Sequence, residues 1–238
     1  MSSDKTGILI RSYGRRRTKG LRPTRAGALE EVLPQVAITL PREGELVDPA
    51  SFFGKENPVK AIWFEIGFGN GEHLLQLAIN NPGIGFIGCE PFINGVAALC
   101  VGIKENNIKN IRIWPDDARM LMARLKDHSI DRLFLLHPDP WPKTRHHKRR
   151  FVQTETLDQI AKLLKPGAEF RMATDHPELA AWLLEKTYFH PAFTWLAACA
   201  DDWRKPPADW PETRYGQKGL KQGRPPVYFR FRNAYGYA

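Results

Sequence analysis

The chain has 238 residues, 42% of them hydrophobic, with a formal charge of +9 and an isoelectric point near 9.6. That length supports one well-buried domain, and the apolar runs near the start are too short for a secretory leader or a membrane span, so a cytoplasmic protein without a membrane partner is expected. Cys89, Cys100 and Cys199 lie far apart without a C-x-x-C pair, which argues against a zinc site, a disulfide framework or redox chemistry.

The charge is clustered. Residues 1–25 carry 8 Lys/Arg, residues 142–150 carry 5 and residues 212–232 carry 6, more than half of the 35 in the chain. Because no amphipathic apolar face accompanies these cations, they favour nucleic acid over a lipid surface as the polyanion bound.

In chain order, residues 1–55 are rich in Arg, Gly and Pro with little periodicity and predict a basic, partly flexible arm. Residues 56–238 form the expected domain. Within it "AIWFEIGF", "GFIGCE", "NIRIWP", "IDRLFLLHP" and "AEFRMATD" are short apolar runs of the kind found in buried parallel strands. Between them, Phe92, Val96, Leu99 and Ile103 share one helical face, as do Ala118, Leu121, Met122 and Leu125, and Leu157, Ile160, Ala161 and Leu164. Lys165-Pro166-Gly167 reads as the end of the last of these helices, and Pro177 as the start of another. The alternation predicts a doubly wound, mostly parallel α/β sheet, with its ligands beyond the carboxyl ends of the strands. The late run "VYFRFRN" predicts a strand at the sheet edge.

The first strand runs into "FEIGFGNGE", where Gly67, Gly69 and Gly71 allow a ligand close to the backbone. A dinucleotide fingerprint needs its last glycine at position 72, which is Glu72. Glu65 would repel a pyrophosphate but suits the sulfonium and ammonium of S-adenosylmethionine. Glu90, at the end of the second strand, is placed to accept from ribose hydroxyls. Asp117 is a candidate acceptor for the adenine amino group, although Asp116 or Asp117 can equally cap the next helix.

After the fourth strand comes "HPDPWPK", in which each proline disfavours the α region for the residue before it, so His137, Asp139 and Trp141 are all expected to be extended, with Asp139 pre-aimed. With "FEIGFGNGE", "GCEPF", "PDDA", "HPDPWPKTRHHKRR", "ATDH" and "TRYGQKGLKQGRPPVYFRF" in this order, residues 61–233 resemble the tRNA (guanine-N7-)-methyltransferase family. The resemblance implies the seven-stranded methyltransferase sheet with one antiparallel strand. It also implies a cofactor site of Glu65, Gly67, Gly69, Gly71, Glu90, Asp117 and Asp139, and a catalytic role for Asp139. Substrate contacts are implied for Lys143, Asp175 and Thr213, Arg214, Tyr215 and Gly216, the last standing where the family usually has Glu. The target it implies is guanine 46 in the variable loop of tRNA, methylated by a monomer or weak homodimer that needs no metal.

Guanine N7 has a lone pair and no proton, so it can attack a sulfonium methyl directly, with alignment as the enzyme's main contribution. Asp139 and Asp175 near the ring would stabilise the positive charge it gains. Arg145, His146, His147, Lys148, Arg149 and Arg150 are expected at the surrounding phosphates, as are Arg15, Arg16 and Arg17 of the arm. Two rival readings are an amine methyltransferase acting on adenine N6 or glutamine N5, and a non-catalytic RNA-binding protein on the same fold.

Overall fold

The apolar runs become strands because their side chains fill both faces of a sheet that helices cover on each side. A computed structural model describes residues 16, 20–211 and 223–235. Strands β1 (Ala61–Ile66), β2 (Ile84–Cys89), β3 (Ile111–Trp114), β4 (Ile130–Leu136) and β5 (Leu164–Thr174) pair in parallel. With β6 (Phe193–Trp195) and β7 (Val227–Asn233), the sheet has the order β3-β2-β1-β4-β5-β7-β6. Strand β7 runs antiparallel to both neighbours, which gives the single reversed strand the family resemblance implies.

Helices α1 (Pro23–Val36), α2 (Glu72–Asn80) and α3 (Ile93–Glu105) cover one face through Val32, Leu74, Leu77, Val96, Leu99 and Ile103. Helices α4 (Ala118–Met122), α5 (Thr154–Leu163) and α6 (Pro177–Tyr188) cover the other through Leu121, Leu157, Ile160, Leu179 and Leu183, while α7 (Asp201–Arg204) is a single turn beside β7. Phe64, Phe86, Phe134, Phe170 and Phe231 are fully buried between these layers. Each contributes about 1.5–3 kcal/mol of burial relative to exposure.

Three expectations need correction. The loose arm does not extend to residue 55, because Pro23 opens α1 and Ala28, Val32 and Val36 form a buried i, i+4 stripe against α3. Ala37 then bridges to Ile113, Val47 to Leu125, and Phe53 is buried. Second, "VYFRFRN" is not at the edge: Phe229 and Phe231 are buried, Arg230 reaches Glu169 on β5, and the short β6 covers β7's other side. Third, Lys165-Pro166-Gly167 follows the end of α5, whose C-cap is Leu164, as expected, but it is itself the irregular start of β5 and not a connecting turn. The pairing register slips there, from Ile130 opposite Leu164 to Arg132 opposite Glu169, and Gly167 takes the turn with φ +79°.

The parallel strands carry five connections to one rim: Gly67 to Gly71 after β1, Glu90 after β2, Asp117 after β3, the proline segment after β4 and Asp175 after β5. The candidate site lies at this rim, as such topologies require.

Candidate active site

Leaving β1, the chain turns through Gly67, Gly69 and Gly71 with φ of +72°, +56° and +77°. A side chain at Gly67 or Gly69 would meet nothing within 4 Å, so these positions are fixed by their dihedral angles and leave the space before them open. Behind them, Gly95 of α3 approaches so closely that a Cβ there would lie 2.1 Å from the Gly69 carbonyl oxygen. Glu90 clasps the turn from the other side. Its Oε2 accepts from Gly69 N at 2.8 Å and its Oε1 from Phe92 N at 2.9 Å.

A cleft of about 880 Å³ opens here, and it brings together Gly67, Gly69, Glu90, Asp117 and Asp139 of the predicted cofactor set. Glu65 and Gly71 lie behind its wall. Glu65 is 2% exposed and accepts from, or donates its proton to, His73 Nδ1 at 2.7 Å, while Gly71 caps α2 against Leu99. Burial raises the pKa of Glu90, its two backbone hydrogen bonds oppose that, and the charges of Asp139 and Glu65 raise it further. Glu90 therefore lies between two other carboxyl groups, Asp139 exposed at the cleft and Glu65 buried behind it. Carboxyl groups at this cleft favour a cationic ligand over a pyrophosphate.

The two aspartates after β3 divide their tasks in an unexpected way. Asp117 both lines the cleft and caps α4, accepting from Arg119 N at 3.0 Å, and its carboxylate also takes Arg119 Nε at 2.9 Å and Nη2 at 2.6 Å. Asp116 turns outward to Asp117 N and to Arg16, at 2.7 Å and 2.6 Å. Arg16 also accepts from Ile93 N through its carbonyl, so it bridges the two lips of the cleft.

The proline segment is stiff but not uniformly extended. His137 and Trp141 have φ of +46° and +41°, which corrects the expectation for both. Exclusion from the right-handed α region before proline leaves the left-handed one available when neighbours hold it. His137 N donates to Ala173 O at 2.7 Å, and the Trp141 ring lies under the Arg149 guanidinium at 5.0 Å with His146 edge-on. Asp139 stands between these two pinned residues and, with them, lines the cleft.

The basic run that follows forms a short 3-10 turn, Thr144–Arg149, with Lys143 at its start. Lys143, Arg145 and Lys148 are exposed. Arg150 is not, and its expected phosphate role is corrected: it is 3% exposed, donates to Pro140 O at 2.9 Å and Glu178 at 2.7 Å, and packs on Trp182. Asp175 follows β5 with its Oδ1 3.6 Å from His137 Nδ1. Arg15, Arg17 and Thr213 to Gly216 lie outside the described residues. Among the described residues there is no group of three metal-ligating side chains and no helix long and apolar enough to cross a membrane.

Sequence reading missed His73, Arg119 and His137. No periodicity marks any of them; His73 meets Glu65 only because the glycine turn and the first turn of α2 fold it back.

Residues 59–228 match the family described as "Putative methyltransferase". In solved structures the fold is similar to the 16S rRNA methyltransferase KamB, at a TM-score of 0.55 and 16% identity over 82% of this chain and 98% of that one. The chain is 47% identical to the tRNA (guanine-N(7)-)-methyltransferase of Paramagnetospirillum magneticum over 93% of its own length and 92% of the relative's. It is equally identical to that of Rhodospirillum rubrum, over 93% and 87%. With the motifs lying at the rim where such a site must be, the chain belongs to the tRNA (guanine-N7-)-methyltransferase family.

Proposed function

We propose that this protein methylates N7 of guanine 46 in the variable loop of tRNA, taking the methyl group from S-adenosylmethionine. The observation that carries the cofactor assignment is the meeting of Glu90, Asp117 and Asp139 at a cleft floored by two open glycines. The nucleobase and tRNA follow from the relatives' printed activity. When bound, the cofactor supplies an electrophilic methyl on a sulfonium. Glu90 receives the ribose hydroxyls while holding the glycine turn, and Asp117 receives the adenine edge beside Arg119.

Asp139 faces the reacting base from a segment too stiff to withdraw, so its charge is already in place where the purine becomes positive. Lys143, Asp175 and residues 213–216 hold the guanine and its sugar. The exposed cations Arg145 and Lys148, with Arg149 beside the cleft, meet flanking phosphates, as do Arg15 to Arg17 of the arm. The setting is cytoplasmic, and the protein acts as a monomer or weak homodimer. Incubation with unmodified tRNA and S-adenosylmethionine, followed by borohydride reduction and aniline cleavage, tests this: one break at guanine 46 is expected. Methylation of adenine, or of protein glutamine, would replace the assignment.

A further inference from the structure

His137 directly follows β4 and lines the cleft two residues before Asp139. Its backbone sits at φ +46°, a conformation costly for a non-glycine residue that survives where its surroundings hold it. The hold is the bond from His137 N to Ala173 O, two residues before Asp175. The consequence is a pairing across the ends of β4 and β5: His137 Nδ1 stands 3.6 Å from Asp175 Oδ1, with the two side chains 18% and 17% exposed.

We propose that His137 is a positioning residue for methyl transfer, its neutral imidazole donating from Nδ1 to one oxygen of Asp175 so that the other is aimed at the hydrogen-bonding edge of guanine. This rests on Asp175 as a substrate contact. At 3.6 Å the contact is longer than a hydrogen bond, and it shortens when the base enters, as polar contacts in unliganded sites commonly do.

The surroundings favour the neutral ring. Burial lowers the His137 pKa below its ordinary 6.5, Asp175 opposes this, and His73, facing it from α2 with Glu65 behind, lowers it further. Asp139 on its own segment, Glu90 beyond β2 and Arg149 of the 3-10 turn line the same cleft. Once protonated, the imidazolium would hold Asp175 in an ion pair and add a second cation beside a purine that is itself becoming positive. Methyl transfer should therefore decline as pH falls through the His137 pKa, and the decline should belong to this ring.

Two variants test it in the full-length protein with unmodified tRNA. His137→Asn keeps a donor near the Nδ1 position and tolerates a left-handed backbone, but does not titrate. Its kcat/KM for tRNA should lack the wild-type fall that sets in as pH drops below 6.5. His137→Phe keeps bulk without a donor, and at pH 8 its kcat/KM for tRNA should drop about 10- to 100-fold, the range for one hydrogen bond to a charged group. Affinity for S-adenosylmethionine should stay at the wild-type value in both. An unaltered acid limb in His137→Asn, or wild-type kcat/KM at pH 8 in His137→Phe, overturns the proposal. Should His137→Phe fail to fold in a thermal melt, the Asn profile decides alone. Failure of the broader reading looks different: the wild-type protein itself would leave no N7-methylguanine in tRNA at pH 8.

Discussion

Arg150 holds Glu178 at 2.7 Å and Pro140 O at 2.9 Å, fastening the proline segment to the first turn of α6. The guanidinium is 1% exposed although it closes a run of solvated cations. Removing it would leave the half-buried Pro140 carbonyl without this donor and release the segment carrying Asp139. Arg150→Ala should cost about 2–4 kcal/mol, lowering the melting temperature by roughly 5 to 15 °C. The salt slope of tRNA binding, measured below the variant's melting range, should match wild type; a shallower slope would return Arg150 to the phosphates.

Arg145 and Lys148 should behave in the opposite way, being exposed on the same turn. Each alanine variant should keep the wild-type melting temperature and reduce the slope of log K against log salt by about one. Filter binding across a salt series reads this directly. A slope unaltered in the double variant would mean that the turn faces away from tRNA.

Asp139→Asn preserves the shape of the segment and removes one charge. Turnover with both substrates saturating should fall about 10² to 10⁴-fold, as for other lost electrostatic or acid–base groups, with tRNA affinity near wild type. Single-turnover methylation is the measurement. Rates within a few-fold of wild type would leave Asp139 a turn residue.

Glu90 links cofactor affinity to pH. Its folded pKa is raised above the ordinary 4.5, chiefly by burial, so the folded chain holds this proton at pH values where the unfolded chain has lost it. For Glu90, then, stability rises as pH falls through the raised value toward 4.5 and is lower above it. A cationic ligand favours the ionised form, so binding of S-adenosylmethionine should release a proton in that window. Titration calorimetry in two buffers of different ionisation enthalpy should detect it, and Glu90→Gln should abolish it. Equal release in the variant would place the titrating group elsewhere.

Much of this architecture was legible because strands buried on both faces are continuous apolar runs, and five of the seven strands have that texture. Strand β6 is three residues long and carries no such signal. Helix α1 was hidden because its stripe of Ala28, Val32 and Val36 lies between arginines and prolines, and only the neighbouring α3 surface reveals its use. The cleft acids could be read from their places at strand ends, since topology alone brings Glu90, Asp117 and Asp139 to one rim. What could not be read was which side chains are already engaged. Arg150 and Arg149 are chemically identical neighbours, yet one is buried on Glu178 and the other stacks over Trp141. The left-handed turns at His137 and Trp141 were equally invisible, because proline's local rule excludes one region without selecting among the rest.

The position of β7 between β5 and β6 has a consequence for synthesis. Arg232 pairs with Glu169 and Asn233 with Phe193, so β6 leaves the ribosome well before the strand that fastens it to the sheet. Until then β5, which leads directly to Asp175, presents an unpaired edge of main-chain donors and acceptors. The nascent chain can order β1 to β5 sequentially, but the wall on the Asp175 side closes only when Val227–Asn233 arrives. Translation thus exposes a sticky intermediate whose lifetime is set by the interval between β5 and β7, and that interval, rather than the helices, is where aggregation competes with folding.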